Sequence, residues 1–357
     1  MMGKQMKKIP CTLMRGGTSK GVFLLADDLP TDIQQRDELI LAIMGSGHAL
    51  QIDGIGGGSP QTSKVAIISP SPHPDADIDY LFAQVSITER LVDTAPNCGN
   101  ILCAVGSFAI EKGLVPVSGE TTTVRIRNVN TNTFINSRVQ TPDGHVTYEG
   151  NTEIASVPGR AAPVALTFLN ACGTKTGKLL PTGHGIDTIE GIDVSCIDMA
   201  TPVVLIDAPQ LNKTGYETAE QLESDAEFMQ KLEAIRIKAG AMMGLGDVSK
   251  KVIPKPILIS PAIHGGTINV RYFMPHKCHG ALAVTGAIAI ATSTMIPDSI
   301  TQQYIQSVDM SSISIEHLSG KFEVSLSQQG DSPEGLQASI VRTARKLFEG
   351  NVYVPSN

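Results

Sequence analysis

Two residues able to move protons, a thiol and an amine, stand in this chain where local structure would make them reactive. The thiol is Cys98, in Pro96-Asn97-Cys98-Gly99-Asn100, directly ahead of the apolar run from Ile101 to Ile110. A cysteine at the mouth of a helix meets unpaired backbone amides and the positive end of the helix dipole, which favour a thiolate. Such a group takes or gives a proton, whereas an ordinary free cysteine is a small apolar filler. The amine is Lys64, which follows Gly54-Ile55-Gly56-Gly57-Gly58-Ser59-Pro60-Gln61-Thr62-Ser63 and leads the apolar run Val65 to Ile68. An amine partly withdrawn from water at the start of a strand is a useful general base, and the alternative is a solvated strand-end lysine. The glycine run offers backbone amides that can approach a carboxylate closely. Arg15, in Met14-Arg15-Gly16-Gly17-Thr18-Ser19-Lys20-Gly21, adds a guanidinium suited to bidentate carboxylate binding or, more simply, an exposed turn. Together these residues suggest proton transfer on an organic anion.

The elements that would position them occur twice. Cys98-Gly99-Asn100-Ile101-Leu102-Cys103-Ala104-Val105-Gly106 is echoed by Cys278-His279-Gly280-Ala281-Leu282-Ala283-Val284-Thr285-Gly286. Upstream, Met44-Gly45-Ser46-Gly47 and then Lys64 to Pro70 are echoed by Met243-Gly244-Leu245-Gly246 and Lys255 to Pro261. The echo predicts two pseudosymmetric domains whose cysteine-led helix mouths could face a shared cleft. From Ile101 to Ile110 and from Ala281 to Ile290 nearly every residue is apolar or small, as in a helix buried on all sides. Each domain is therefore expected to wrap a mixed, curved sheet around one central helix, giving an α+β class.

Strands are predicted at Val65–Ser69, Ala83–Ile87, Val124–Asn128, Val203–Ile206, Ile257–Ser260 and Thr267–Phe273, all short, β-branched and bounded by turn residues. One long helix is predicted from Thr218, where Thr218 and Gln221 form a capping box, through Met242 to a stop at Gly244. A chain of 357 residues is too long for one core, which also favours two domains. The expected boundaries are 1–187, with the C-terminal segment 346–357 returning to that domain, and 188–345, joined through the loop-rich stretch 170–191.

Composition excludes several classes. Net charge is −7, aromatic residues make up 4%, and Lys4, Lys7 and Lys8 are the sole basic cluster, so no nucleic acid partner is expected. No segment reads as a signal peptide or membrane span, which points to a soluble cytoplasmic protein. Six cysteines without a paired spacing read as free thiols, with Cys11, Cys103, Cys172 and Cys196 structural. The glycine run is not a dinucleotide fingerprint, because position 59 is Ser, and Gly173-Thr174-Lys175-Thr176-Gly177-Lys178 is not a phosphate loop. His276-Lys277-Cys278-His279 lacks a second ligand cluster, so no metal is expected.

Beyond these readings, the chain resembles the PrpF-like isomerase family through Pro10 to Gly21, Asp53 to Gly58, Thr62-Ser63-Lys64-Val65-Ala66, Asn97-Cys98-Gly99-Asn100, Arg125-Ile126-Arg127-Asn128-Val129-Asn130-Thr131, Ala162-Pro163-Val164, Thr176-Gly177-Lys178 and Arg271 to His276. The resemblance is strongest to the 4-oxalomesaconate tautomerase branch. It implies a diaminopimelate epimerase-like fold and a cofactor-free 1,3-proton shift in an unsaturated di- or tricarboxylate, with Lys64 and Cys98 as the acid and base. On that footing Arg15, Ser19, Gly57, Gly58, Ser59, Ser63, Gly99, Asn100, His276, Cys278 and Gly280 are the expected carboxylate contacts. Three alternatives stand beside it: an aconitate, methylaconitate or methylitaconate isomerase, a two-thiol amino-acid epimerase using Cys98 and Cys278, and a carboxylate-binding protein without catalysis. A homodimer is the default assembly.

Overall fold

A computed structural model describes residues 6–94, 96–274, 276–305, 309–328 and 335–355. Lys4 and Pro275 lie outside them. The chain divides into two compact units, residues 1–167 with 341–357, and residues 168–340. The expected boundaries stood at 187 and 345, so the stretch 170–191 falls inside the second unit.

The first unit contains β1 (Lys7–Gly16), β2 (Ser19–Leu25), α1 (Ile33–Met44), β3 (Lys64–Pro70), β4 (Ile78–Val85), β5 (Val92–Asp93), α2 (Gly99–Glu111), β6 (Thr121–Asn128), β7 (Thr133–Gln140) and most of β8 (Pro163–Leu169). The second contains β9 (Asp187–Ile189), β10 (Ile192–Met199), β11 (Thr201–Asp207), α3 (Ala219–Glu223), α4 (Ala226–Met242), β12 (Lys255–Ser260), β13 (Ile268–Tyr272), α5 (Val284–Ser293), β14 (Ile313–His317) and β15 (Gly320–Gln328). The last strand, β16 (Leu336–Val354), pairs with β15 through Leu336 to Ser339 and with β1 through Ala344 to Val354.

Both units share one wiring. In the first, β1–β2, β3–β4 and β6–β7 are antiparallel while β2–β3 and β4–β6 are parallel. In the second, β10–β11, β12–β13 and β14–β15 are antiparallel while β11–β12 and β13–β14 are parallel. Parallel neighbours cannot be joined by a tight turn and need a crossover. Here the crossovers hold α1 and α2 in one unit, and α3–α4 and α5 in the other. This is the mixed α+β, pseudosymmetric architecture that the internal echo predicts.

The two central helices are buried as their composition demands. Every residue of α2 from Ile101 to Ile110 is buried, and so are Val284 and Gly286 to Ser293 of α5. On the opposite face of the first sheet, Val65, Ile67, Ala83 and Val85 pack with Ile40, Leu41, Ile43 and Met44 of α1.

Two predicted helices differ in the structure. The helix expected from Thr218 to Met242 breaks at Ser224, because Asp225 accepts a hydrogen bond from the Phe228 amide and caps a fresh start. The capping box of Thr218 and Gln221 does form. More consequentially, α5 begins at Val284 behind an Ala283 cap, so Cys278 is not at its mouth. Instead Cys278 bridges to Phe273 and gives its amide to Glu223 at 2.9 Å, which draws the segment back toward the sheet before a helix can start. Among the described residues no helix is long and apolar enough to cross a membrane.

Candidate active site

In the first unit the site grows out of alternation along two paired strands. Lys64, Ala66 and Ile68 of β3 stand opposite Gln84, Phe82 and Tyr80 of β4. Since their neighbours Val65, Ile67, Ala83 and Val85 face α1, these six side chains face α2. The Lys64 ammonium donates to the Gln84 side-chain oxygen at 2.6 Å and lies 5.1 Å from the centroid of the Phe82 ring. Two strand positions along from Phe82, the Tyr80 hydroxyl donates to the Cys98 carbonyl at 3.2 Å. The ladder Tyr80–Phe82–Gln84 therefore carries Cys98 at one end and Lys64 at the other.

Cys98 is the N-cap of α2, with extended backbone (φ −140°, ψ 101°) and no side-chain hydrogen bond closing the helix end. It is partly exposed, while Cys103, one turn in, is buried and donates to the Gly99 carbonyl. The first turn of α2 is seated by the β1–β2 hairpin. A Cβ on Gly17 would fall 2.2 Å from the Asn100 side-chain oxygen, and one on Gly16 would fall 2.3 Å from the Asn100 carbonyl. Gly17 also has φ +50°, so glycine is required there on both counts. Gly21 lies against the Lys64 carbonyl and the Ile101 side chain at once, tying the head of β3 to the same helix end.

The other expected contacts divide. Asn100 accepts from the Thr18 amide at 3.3 Å, and Gly99 and Asn100 form the open first turn. Ser19 is buried at the start of β2. At Arg15 one guanidinium nitrogen donates to the carbonyls of Gly17 and Thr343 and to the Thr343 hydroxyl, at 2.9 to 3.0 Å. Arg15 thereby braces the hairpin against β16, and burial lowers its pKa.

Ser63 is fully buried, donates to the Val85 carbonyl and accepts from Gln51, both at 2.8 Å, so its hydroxyl is engaged within the protein. The glycine loop is likewise closed on itself. Gly58 gives its amide to Gln51, Gly57 gives its amide to the Thr62 carbonyl, and the Ser59 and Thr62 hydroxyls bond each other at 2.8 Å. The loop holds Lys64 in place from behind, since Gln84 also donates to the Ser63 carbonyl at 2.8 Å.

In the second unit, His276 is exposed with Nδ1 4.0 Å from Glu233, and Gly280 is exposed with open space on its Cβ side. Cys278 is buried among Phe228, Leu232 and Phe273, and burial pushes its thiol up to about 11. Cys278 thus differs from Cys98 in burial and in standing ahead of its helix rather than at the mouth. No group of three or more His, Cys, Asp or Glu among the described residues could hold a metal ion.

Sequence reasoning missed Tyr80, Phe82, Gln84 and Asn130. Asn130 donates to the carbonyls of Phe82 and Thr94 at 2.8 and 2.7 Å and accepts from the Phe82 amide, fixing β4 beside the segment that leads to Cys98. The available signal was a polar Gln84 between Ala83 and Val85.

The family profile described as "PrpF protein" matches residues 6–355. The chain is 60% identical over 350 residues to the YbhH protein of Escherichia coli (strain K12), covering 98% of this chain and 100% of that one. It is 49% identical over 349 residues to "4-oxalomesaconate tautomerase" of Pseudomonas putida (strain KT2440), covering 97% and 96%. The crystal structure of methylitaconate-delta-isomerase superposes with a TM-score of 0.88 at 36% identity, covering 98% of this chain and 96% of that one. Fold and relatives define an isomerase. The chain belongs to the PrpF family.

Proposed function

We propose that this isomerase catalyses a 1,3-proton shift in an unsaturated tricarboxylate of the 4-oxalomesaconate type, with Lys64 and Cys98 as its acid and base and without a cofactor. The observation that carries the reading is the amine of Lys64, stationed by Gln84 above Phe82 on the face that meets α2, with Cys98 at the unclosed mouth of that helix. The 49% identity to the Pseudomonas putida tautomerase supports the substrate class.

The chemistry follows from the groups. One of the pair removes a proton from carbon next to a carbonyl or carboxylate. The electron pair left behind is delocalised as a dienolate, with negative charge on oxygen. The other group returns a proton at the far carbon, moving the double bond, or at the enol oxygen, completing a keto–enol change. Open amides at the start of α2 suit the developing oxyanion, and each well-placed donor lowers such a barrier by roughly 3 kcal/mol. A protein that only bound carboxylates would have use for the ammonium but none for a thiol at the helix mouth.

The test is a panel of 4-oxalomesaconate, aconitate and methylitaconate in deuterated buffer, followed by ultraviolet absorbance and by deuterium incorporation. The expected result is exchange and a shifted double bond with one of them, and a loss of about 100- to 10,000-fold in kcat in Lys64→Met and in Cys98→Ala. Binding without exchange would return the protein to the class of carboxylate binders.

A further inference from the structure

The edge of β4 that faces away from β3 changes partner along its length. Gln84 and Val85 pair with Asp93 and Val92 of β5, whereas Ile78, Asp79 and Tyr80 pair with Ile126, Arg127 and Asn128 of β6. Phe82 lies in the gap between the two ladders, where a backbone amide and carbonyl shut away from water need partners from elsewhere. A side chain fills the gap. Asn130, whose own amide donates to the Asn128 side-chain oxygen at 3.0 Å, accepts the Phe82 amide and donates to the Phe82 carbonyl, both at 2.8 Å. It pairs with Phe82 as a backbone peptide of an adjoining strand would.

The same amide nitrogen also donates to the Thr94 carbonyl at 2.7 Å. Thr94 is the residue after β5, so Asn130 catches the chain where it leaves the ladder and heads for α2. Tyr80 then takes hold of it at Cys98. Tyr80 is fully buried, and its hydroxyl donates to the Cys98 carbonyl at 3.2 Å, beside the first helical bond of α2, which Leu102 gives to the same carbonyl at 3.1 Å. Both holds act on carbonyls and leave the Cys98 side chain out of the docking. The residues from Tyr80 to Gln84 therefore carry the fixings of both reacting groups, since Gln84 holds the Lys64 ammonium and Asn130 sets Phe82, the ring beside which that ammonium lies. A displacement of about 1 Å between reacting groups costs on the order of 100-fold in rate.

We infer that Asn130 and Tyr80 are positioning residues, which fix the Cys98 thiol relative to the Lys64 amine by holding Thr94 and Cys98 on β4. The inference rests on the function proposed above, because it takes that amine and thiol as the reacting pair.

The test uses Tyr80→Phe, which deletes one hydroxyl and keeps the ring, and Asn130→Asp, which keeps the shape and the acceptor for the Phe82 amide but loses both donors. Arg127→Met is the control, since it breaks the ion pair with Asp79 on the same β4–β6 contact without touching Thr94 or Cys98. Expected are a kcat lower by about tenfold in Tyr80→Phe and by about 100-fold in Asn130→Asp, with KM within about twofold of the wild type, and an unchanged kcat in Arg127→Met. Iodoacetamide labelling of the folded protein adds a readout that needs no substrate, with Cys172, a partly exposed cysteine of the second unit, as internal reference. Release of the segment should raise the rate at Cys98 about threefold or more against Cys172 in both variants, while Cys11 and Cys103 stay protected. Should Asn130→Asp not fold, Tyr80→Phe decides alone. A raised KM at full kcat, an equal fall of kcat in Arg127→Met, or an unchanged labelling ratio overturns the inference. A proton shift that survives in Lys64→Met and Cys98→Ala overturns the proposed function instead, and the labelling ratio still reports whether the segment is held.

Discussion

The side-chain oxygen of Gln84 accepts the Lys64 ammonium at 2.6 Å, while the amide nitrogen of the same side chain donates to the carbonyls of Ser63 and Pro60 at 2.8 and 3.2 Å. One amide thus fixes both the amine and the loop behind it. Replacing it frees the amine to swing without removing it. Gln84→Met should lower kcat by about 100-fold with a small change in KM, the pattern of a displaced reacting group. Steady-state kinetics on the substrate found in the panel would check it, and an unchanged kcat would show that the contact is idle.

Gly17 is the most demanding position in the hairpin. Gly17→Ala places a methyl group 2.2 Å from the Asn100 oxygen and holds a non-glycine residue at φ +50°. The strain alone costs about 1–3 kcal/mol, and relief by moving Asn100 would disturb the turn next to Cys98. Thermal melting should fall by several degrees and activity should drop with it. Activity lost at full stability would locate the damage in the helix mouth alone.

Acid should weaken the contact between β4 and β6. Burial acts to raise the pKa of Asp79, but hydrogen bonds from Arg127 and Ser71 outweigh it and hold the carboxylate below its usual range. A depressed carboxylate pKa contributes stability above the unfolded value of about 3.9, and that contribution disappears as pH falls through the folded value. Chemical denaturation between pH 3 and pH 7, on the order of that range, should show the wild type losing more stability on acidification than Arg127→Met. Parallel curves for the two proteins would contradict the assignment.

Thiol chemistry should separate the cysteines. Cys98 is partly exposed, whereas Cys11, Cys103, Cys196 and Cys278 are buried, and burial raises the pKa of each of the buried four. Iodoacetamide in the native state should modify Cys98 ahead of those four and abolish activity in step, as read by peptide mass spectrometry. Cys278→Ala should retain the proton shift and lose about 1–2 kcal/mol of stability. An inactive but folded Cys278→Ala would favour the two-thiol reading.

Local sequence disclosed the buried helices and one cap, though not the Asp225 cap that splits the helix expected from Thr218. The runs Ile101–Ile110 and Ala281–Ile290 are apolar on every side, which announces a buried helix without knowledge of what surrounds it. Thr218 and Gln221 act within one turn, so their capping box was legible as well. Pairing between distant strands was not. Gln84 becomes Lys64's partner only through the β3–β4 register, and reading the strand as Ala83–Ile87 instead of Ile78–Val85 hid Tyr80 and Phe82. Cys278 misled for a related reason. Its neighbours in sequence copy those of Cys98, but its backbone is captured by Phe273 and Glu223, contacts that no local pattern encodes. Ser63 and the glycine loop carry the composition of a ligand cradle, yet Gln51 donates to the Ser63 hydroxyl and accepts the Gly58 amide, a part visible only in three dimensions.

The pairing of β1 with Ala344 to Val354 has a consequence for the newborn chain. Nearly all of the first unit leaves the ribosome early, but β1 keeps one bare edge until Ala344 to Val354 have been made. An unpaired edge invites other strands during that wait. Translation of the whole second unit therefore sets a minimum delay before the first can be sealed, and a stalled or truncated product would emerge with an adhesive flank where the finished protein has none.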